Sequence, residues 1–345
     1  MKEAMFYEKL KDNKVRCHLC GWDYVLPGGC IIPPGKTGVC GVRKNISGTL
    51  YSLVYDKISS TAVHEVERKP LYHFAPGSLA YSICTQGCNW KCKYCQNWQL
   101  SQGEIIGKAV LPEELVGRAK ARGCQGLSYT FTEPTIFYEL TYDTAKIAHK
   151  EGLYNTYVTN GYISPEPIQK IAPYLDAVSV NFKGSGDEEF LQNYIGIPSS
   201  EPVYRALKEF EKNNIHIEIT NLLVPQVGDS MEKVEKLINW IKENLGVETP
   251  VHFLRFFPHH KVLDLPPTPI ETLESAYKIA KESGMQYVYL GNVLNGRNNT
   301  YCPNCGALLI KRGIMETIKI YLQDSICPEC GKTINIRNFH KGDRK

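Results

Sequence analysis

Long apolar runs are missing from this chain. No stretch reaches the roughly 18 consecutive apolar residues that a membrane-crossing helix needs, so no transmembrane segment and no membrane partner are expected. The opening, MKEAMFYEKLKDNKV, is polar and charged, so no signal peptide is expected either. Charge of one sign is also scarce. With 40 basic against 36 acidic residues and a net charge of +4, a strongly basic nucleic-acid binder is not expected. Low-complexity segments and fixed-period repeats are absent, which sets aside solenoids and disordered tracts. The composition, 43% hydrophobic over 345 residues, suits one large globular domain with smaller appendages.

Cysteine, by contrast, is plentiful. Twelve of the 13 fall into three local groups, and Cys124 stands apart. Disulfide frameworks belong to small secreted domains. Clustered CxxC pairs without a secretory leader read as metal sites in a cytoplasmic protein. Three zones follow. Residues 1–65 form a Cys-rich N-terminal module, 66–298 an α/β domain, and 299–345 a second Cys-rich module.

The middle zone alternates β-branched or aromatic runs with amphipathic stretches. Strands are expected at Leu79–Cys84, Gly126–Phe131, Tyr154–Thr159, Ala177–Phe182, His216–Val224, Val251–Phe257 and Gln286–Leu290. Helices are expected at Pro112–Arg122, Ile136–Glu151, Glu166–Ala172, Val203–Asn213, Ser230–Asn244 and Ile270–Ser283. Such alternation implies βαβ units and a parallel sheet, here a full or partial TIM-like barrel with its active residues at the C-terminal strand ends.

After the first of these strands the chain reads Cys84-Thr-Gln-Gly-Cys88-Asn-Trp-Lys-Cys92-Lys-Tyr94-Cys95. A four-iron cluster takes one cysteine per iron, so the three thiolates of Cys88, Cys92 and Cys95 leave one iron without protein sulfur. An open coordination position is what catalytic metal centres keep and structural ones close. A three-Cys zinc site with a further ligand is the alternative. Cys84 lies within the strand and reads as a packed thiol.

CxxxCx(aromatic)C behind the first barrel strand, with Tyr94 in the aromatic position, resembles the signature of the radical S-adenosylmethionine (SAM) enzymes. The resemblance implies a 4Fe-4S cluster whose open iron binds SAM, reductive cleavage of SAM, and a 5′-deoxyadenosyl radical that abstracts hydrogen from substrate. It also implies a reduced ferredoxin or flavodoxin-type electron donor. Glu133, in Tyr129-Thr-Phe-Thr-Glu133-Pro134, resembles the acid that meets the SAM amino group. Asn160, in Thr159-Asn160-Gly161, resembles a SAM-contacting position of activase-type members. Lys183 resembles a lysine near the SAM carboxylate, although Asn181 stands where those members carry Asp. Arg255, after the apolar run Val251–Leu254, is a candidate for a carboxylate of SAM or substrate. His259 and His260 read as exposed loop residues. No catalytic acid or base is singled out.

The C-terminal module carries Cys302-x2-Cys305 and Cys327-x2-Cys330 with 21 residues between the pairs, the pattern of a closed four-cysteine site. Zinc is expected, with a rubredoxin-like iron as the alternative. The N-terminal module carries Cys17-x2-Cys20-x9-Cys30-x9-Cys40, with His18 as a substitute ligand. Zinc is favoured there, against an auxiliary iron–sulfur cluster.

The likeness extends along nearly the whole chain, through Gly38-Val-Cys40-Gly-Val-Arg43, CNWKCKYCQNW, FTEPTIFYE, HFLRFFP and Thr300-Tyr-Cys302-Pro-Asn-Cys305. It resembles the radical SAM member of the AmmeMemoRadiSam system, related to pyruvate formate-lyase activating enzymes, and implies AMMECR-type and Memo-type partners. An activase-like enzyme acting on a protein or peptide is therefore expected. An enzyme acting on a small molecule or nucleoside, and a non-catalytic zinc-stabilised scaffold, are the alternatives.

Overall fold

The computed structural model describes residues 1–293 and 297–338. Residues 294–296, near the end of the second expected zone, and 339–345, the last of the third, lie outside the described residues.

An eight-stranded sheet organises the chain. Its edge is β1 (Ser60–Glu65), antiparallel to β2 (Leu79–Cys84). Parallel strands follow in sequence order: β3 (Gly126–Tyr129), β4 (Tyr154–Thr159), β5 (Ala177–Lys183), β6 (His216–Leu223), β7 (Val251–Arg255) and β8 (Val288–Gly291). β1 and β8 are its two edges, so the barrel is partial. A parallel sheet is covered on both faces, and its strands are accordingly buried almost throughout rather than on alternate residues. Gly126 permits close stacking on the neighbouring strand, because a Cβ there would sit 2.0 Å from the Tyr154 ring.

Six helices connect the strands: α1 (Pro112–Ala121), α2 (Tyr138–Lys150), α3 (Pro165–Ile171), α4 (Glu201–Lys212), α5 (Met231–Leu245) and α6 (Ile270–Glu282). In α4 the buried Val203, Ala206, Leu207 and Phe210 recur at helical spacing and form the stripe that faces the sheet. Proline in the first turn of α1, α3 and α4 starts each helix where a missing N–H costs nothing. Ser230 caps α5 by accepting from the Lys233 amide, and Gly246, at φ +91°, ends it. The expected strand through Phe131 stops at Tyr129, because Phe131 takes a positive φ of 65° and turns the chain toward the barrel axis.

The N-terminal segment forms two small three-stranded sheets whose Val15, Leu19, Ile32, Val42 and Leu50 join the main core. The C-terminal module is a three-stranded antiparallel sheet of Thr300–Tyr301, Leu308–Arg312 and Thr317–Ile320. Its Leu309, Ile310, Leu322 and Ile334 pack with Tyr72, Tyr287 and Tyr289 of the barrel. Arg312 donates to the Tyr72 carbonyl at 2.7 Å and lies 3.9 Å from Glu67, while the Arg337 amide donates to His73. Beside this docking surface, Glu218 of β6 is fully buried and accepts from His216 at 3.1 Å, His252 at 2.8 Å and the His73 amide at 2.7 Å.

Candidate functional site

The C-terminal ends of the parallel strands surround a cavity of about 370 Å³. The loop after β2 carries Cys88, Cys92 and Cys95 to its wall. That loop is held by backbone pairing to distant segments: Gly87 N–H to Leu100, Lys91 to Ile195 and Lys93 to Tyr194. Burial pushes the Cys92 thiol up to about 12, and drives Cys88 further in the same direction. Without a metal these thiols keep their protons, so metal binding releases protons and repays the burial. No three sulfurs of the triad lie within 4.8 Å of one another, which is wider than one tetrahedral ion permits. Three thiols spread around a cavity wall, with the fourth side facing other donors, fit a multi-iron cluster with one free corner.

Glu133, Asn160, Lys183, Arg255 and Tyr94 all line the same cavity. Glu133 is 3% exposed. Its Oε1 accepts from the Thr135 amide and hydroxyl (3.1 and 2.6 Å) and from the Thr159 hydroxyl (2.7 Å), and its Oε2 accepts from the Asn160 amide (2.8 Å). Burial raises this carboxyl while the four hydrogen bonds oppose it. Oε1 is saturated; Oε2 has one donor and can take another. Glu133 therefore ties the turns after β3 and β4 together, besides facing the cavity. Asn160 donates to Asn89 Oδ1 at 2.8 Å, and its own Oδ1 accepts from the Tyr162 amide at 2.9 Å, so this side chain fastens the cysteine loop to β4.

Burial lowers the Lys183 ammonium, partly offset by the nearby Cys92, Cys95 and Cys88. Its Nζ donates to Asn181 at 3.3 Å, so the amide standing where activase-type members carry an acid still orients the lysine. Arg255 donates from Nε to the Thr268 carbonyl at 2.8 Å and lies over the Phe257 ring. Tyr94 stacks on Phe190 and meets Phe256 edge-on, and its buried hydroxyl has no partner among the described residues. Cys84 is fully buried in β2 and is not part of the cavity wall. His260 stacks on Trp98 and His259 lies in the adjoining turn, neither of them on the cavity wall.

Several cavity residues were not foreseen. Arg68 and Lys69 reach it from the turn after β1, and Asn97 braces it by donating to the Phe131 carbonyl at 2.9 Å. Lys69 is 2% exposed and lies over the Phe131 ring. Burial and then Arg68 press its pKa down to about 7. One signal for it was available: two consecutive cations precede Pro70, in a turn leading into the strand that carries the motif.

The terminal cysteine groups differ in geometry. Among the described residues, Cys302, Cys305, Cys327 and Cys330 alone gather their ligand atoms within 4.8 Å. The Cys302–Cys330 and Cys305–Cys327 sulfur pairs stand 3.6 and 3.7 Å apart. Four Zn–S bonds of about 2.3 Å in a tetrahedron put sulfurs about 3.8 Å apart, so these residues fit a single ion. Cys17, Cys20, Cys30 and Cys40 line one small cavity together but are spaced more widely.

The radical SAM superfamily model matches residues 82–241. An uncharacterized protein of Methanocaldococcus jannaschii is 45% identical over 97% of this chain and 99% of its own length. A pyruvate formate-lyase-activating enzyme of Clostridium pasteurianum is 26% identical over 61% of this chain and 91% of its own. A crystal structure of a radical SAM methyltransferase from Sphaerobacter thermophilus aligns at 15% identity with a TM-score of 0.47, over 66% of this chain and 70% of that one. With the cysteine triad on the cavity wall, the family-model match identifies this chain as an enzyme carrying a radical SAM domain over residues 82–241.

Proposed function

We propose that this enzyme uses a 4Fe-4S cluster on Cys88, Cys92 and Cys95 to cleave SAM reductively and abstract hydrogen from a protein or peptide, in the manner of an activating enzyme. The observation that carries this reading is the single cavity shared by the three thiols, Glu133, Lys183 and Arg255. When bound, the cluster and SAM would supply one-electron reductive cleavage chemistry. The chain's own residues hold SAM for it. Glu133 would accept from the SAM ammonium, Lys183 and Arg255 would meet carboxylates, and Tyr94 gives one wall of the cavity. Likeness to the Clostridium activating enzyme supports the protein substrate.

A small anionic substrate is the second reading. Arg68, Lys69, Lys183 and Arg255 all stand on the cavity wall, where Glu133 is the one carboxylate among the described residues. Partners of the AMMECR and Memo types, a ferredoxin or flavodoxin-type donor and a cytoplasmic location belong to the same proposal. So does zinc at Cys302, Cys305, Cys327 and Cys330.

The test is anaerobic reconstitution with iron and sulfide, then reduction in the presence of SAM. Release of 5′-deoxyadenosine is expected; its absence from protein with a full complement of iron would sink the reading. Deuterium passing into 5′-deoxyadenosine from labelled partner protein, and not from small anionic metabolites, would favour the protein substrate.

A further inference from the structure

We infer that Cys17, Cys20, Cys30 and Cys40 hold a second iron–sulfur cluster of the four-iron type, and not a single zinc ion. The first ground is spacing. All four cysteines line one small cavity, yet no three of their sulfurs come within 4.8 Å of one another. A lone tetrahedral ion draws its four sulfurs to about 3.8 Å, as the C-terminal cysteines are drawn. In a cubane each cysteine binds a different iron corner, and the sulfurs stand about 6 Å apart. The N-terminal group thus shares the wide spacing of Cys88, Cys92 and Cys95 rather than the tight spacing of the C-terminal site.

The second ground is a buried donor at the same cavity. Arg43 lines it and is 2% exposed. Its Nη1 donates to Glu139 at 2.9 Å and its Nη2 to the Met5 carbonyl, but its Nε has no acceptor among the described residues. A buried N–H left unpaired is destabilising, so an acceptor at this place is expected. A cluster beside it presents sulfide and thiolate sulfurs, which accept such hydrogen bonds and whose potential those bonds set. Four cysteines, unlike the catalytic three, leave no iron open, so this centre is closed to SAM.

Its position gives it a role next to the catalytic loop. Gly87 packs so closely on the N-terminal module that a Cβ there would lie 3.2 Å from the Cys40 carbonyl and 2.6 Å from Val42. Trp22, two residues after Cys20, donates from its indole to the Asn89 carbonyl at 2.7 Å. Cys40 and Trp22 therefore each approach a residue adjoining Cys88, and the segments that carry the two cysteine groups are in contact.

Metal counting on the anaerobically purified holoenzyme tests this without any activity. About eight irons and one zinc per chain are expected. About four irons and two zincs would overturn the inference, whatever the protein does with SAM. The variant C88A/C92A/C95A, folded by circular dichroism, should keep about four irons with a Mössbauer spectrum of a closed cubane. Adding C17A and C20A should then remove them. Iron at background in the folded triple variant would equally overturn it, and if that variant does not fold the wild-type count decides alone.

Discussion

Replacing Lys69 with Met should stabilise the protein, by an amount that shrinks as pH rises. Lys69 is 2% exposed, and burial and Arg68 hold its pKa at about 7 against 10.5 for a free lysine. The folded state binds this proton less tightly than the unfolded one. The penalty is fully present below about pH 7 and vanishes above the unfolded value of 10.5, so wild-type stability rises with pH in between. At about 1.4 kcal/mol per tenfold, that interval is worth about 5 kcal/mol at most. The gap between Lys69→Met and wild type should then be about 4 kcal/mol near pH 7 and about 2 kcal/mol near pH 9, less about 1–2 kcal/mol for the lost contacts with the Phe131 ring and His64 Nδ1. Urea unfolding of the metal-loaded protein under anaerobic conditions at both pH values reads it directly. A gap that stays flat with pH, or a variant less stable than wild type at pH 7, would refute the account of Lys69 as a buried cation whose hydrogen bond to His64 Nδ1, at 3.4 Å, does not offset its burial.

Other perturbations have equally definite outcomes. Glu139→Leu leaves the buried Arg43 guanidinium without its carboxylate and should cost about 3–5 kcal/mol in urea unfolding. Glu218→Leu strips the acceptor from His216, His252 and the His73 amide and should cost about 3 kcal/mol or more at neutral pH. The Glu218 carboxyl is held below the usual 4.5 by those histidines despite burial, so its contribution is full above that value and is lost as pH falls through the lower folded value. The melting curves of variant and wild type should therefore converge in acid. Glu133→Gln should retain the iron of the cysteine triad while weakening SAM binding about tenfold, as measured by equilibrium dialysis. Cys305→Ser should lose one metal equivalent by elemental analysis and lower the melting temperature of the barrel as well as of the module.

The catalytic loop was legible because its information is local: Cys88, Cys92 and Cys95 are close in sequence and follow a strand with a clear apolar run. Glu133, Asn160 and Lys183 were legible for a related reason, since each follows a recognisable strand and a parallel barrel brings all such ends to one face. Lys69 was not, because nothing in a Lys before Pro tells that both β1 and the turn after it fold over the cavity. β1 itself, Ser-Thr-Ala-Val-His-Glu, is half-buried along its whole length and carries no strong alternation, so it read as part of the N-terminal module rather than as the sheet edge. Spacing along the chain also failed to separate one ion from a cluster at Cys17, Cys20, Cys30 and Cys40. The quantity that separates them is the distance between sulfurs, which depends on how two small sheets pack against the barrel. Asn160 and Glu133 carried a second, unforeseen duty as fasteners between loops, a duty visible only once their hydrogen-bond partners are known.

The docking of the C-terminal sheet on Tyr72, Tyr287 and Tyr289 has a consequence for how this enzyme comes to exist. The module is the last part of the described chain to be synthesised, and it covers aromatic surface laid down more than two hundred residues earlier at Tyr72. A closed thiolate site of this kind gains its folding free energy from the ion. Synthesis of the module, ion capture and burial of that aromatic surface are thereby linked. On the proposed ion at these four cysteines, a chain starved of it would present those tyrosines to chaperones and proteases, so supply of that metal would set how much folded enzyme survives.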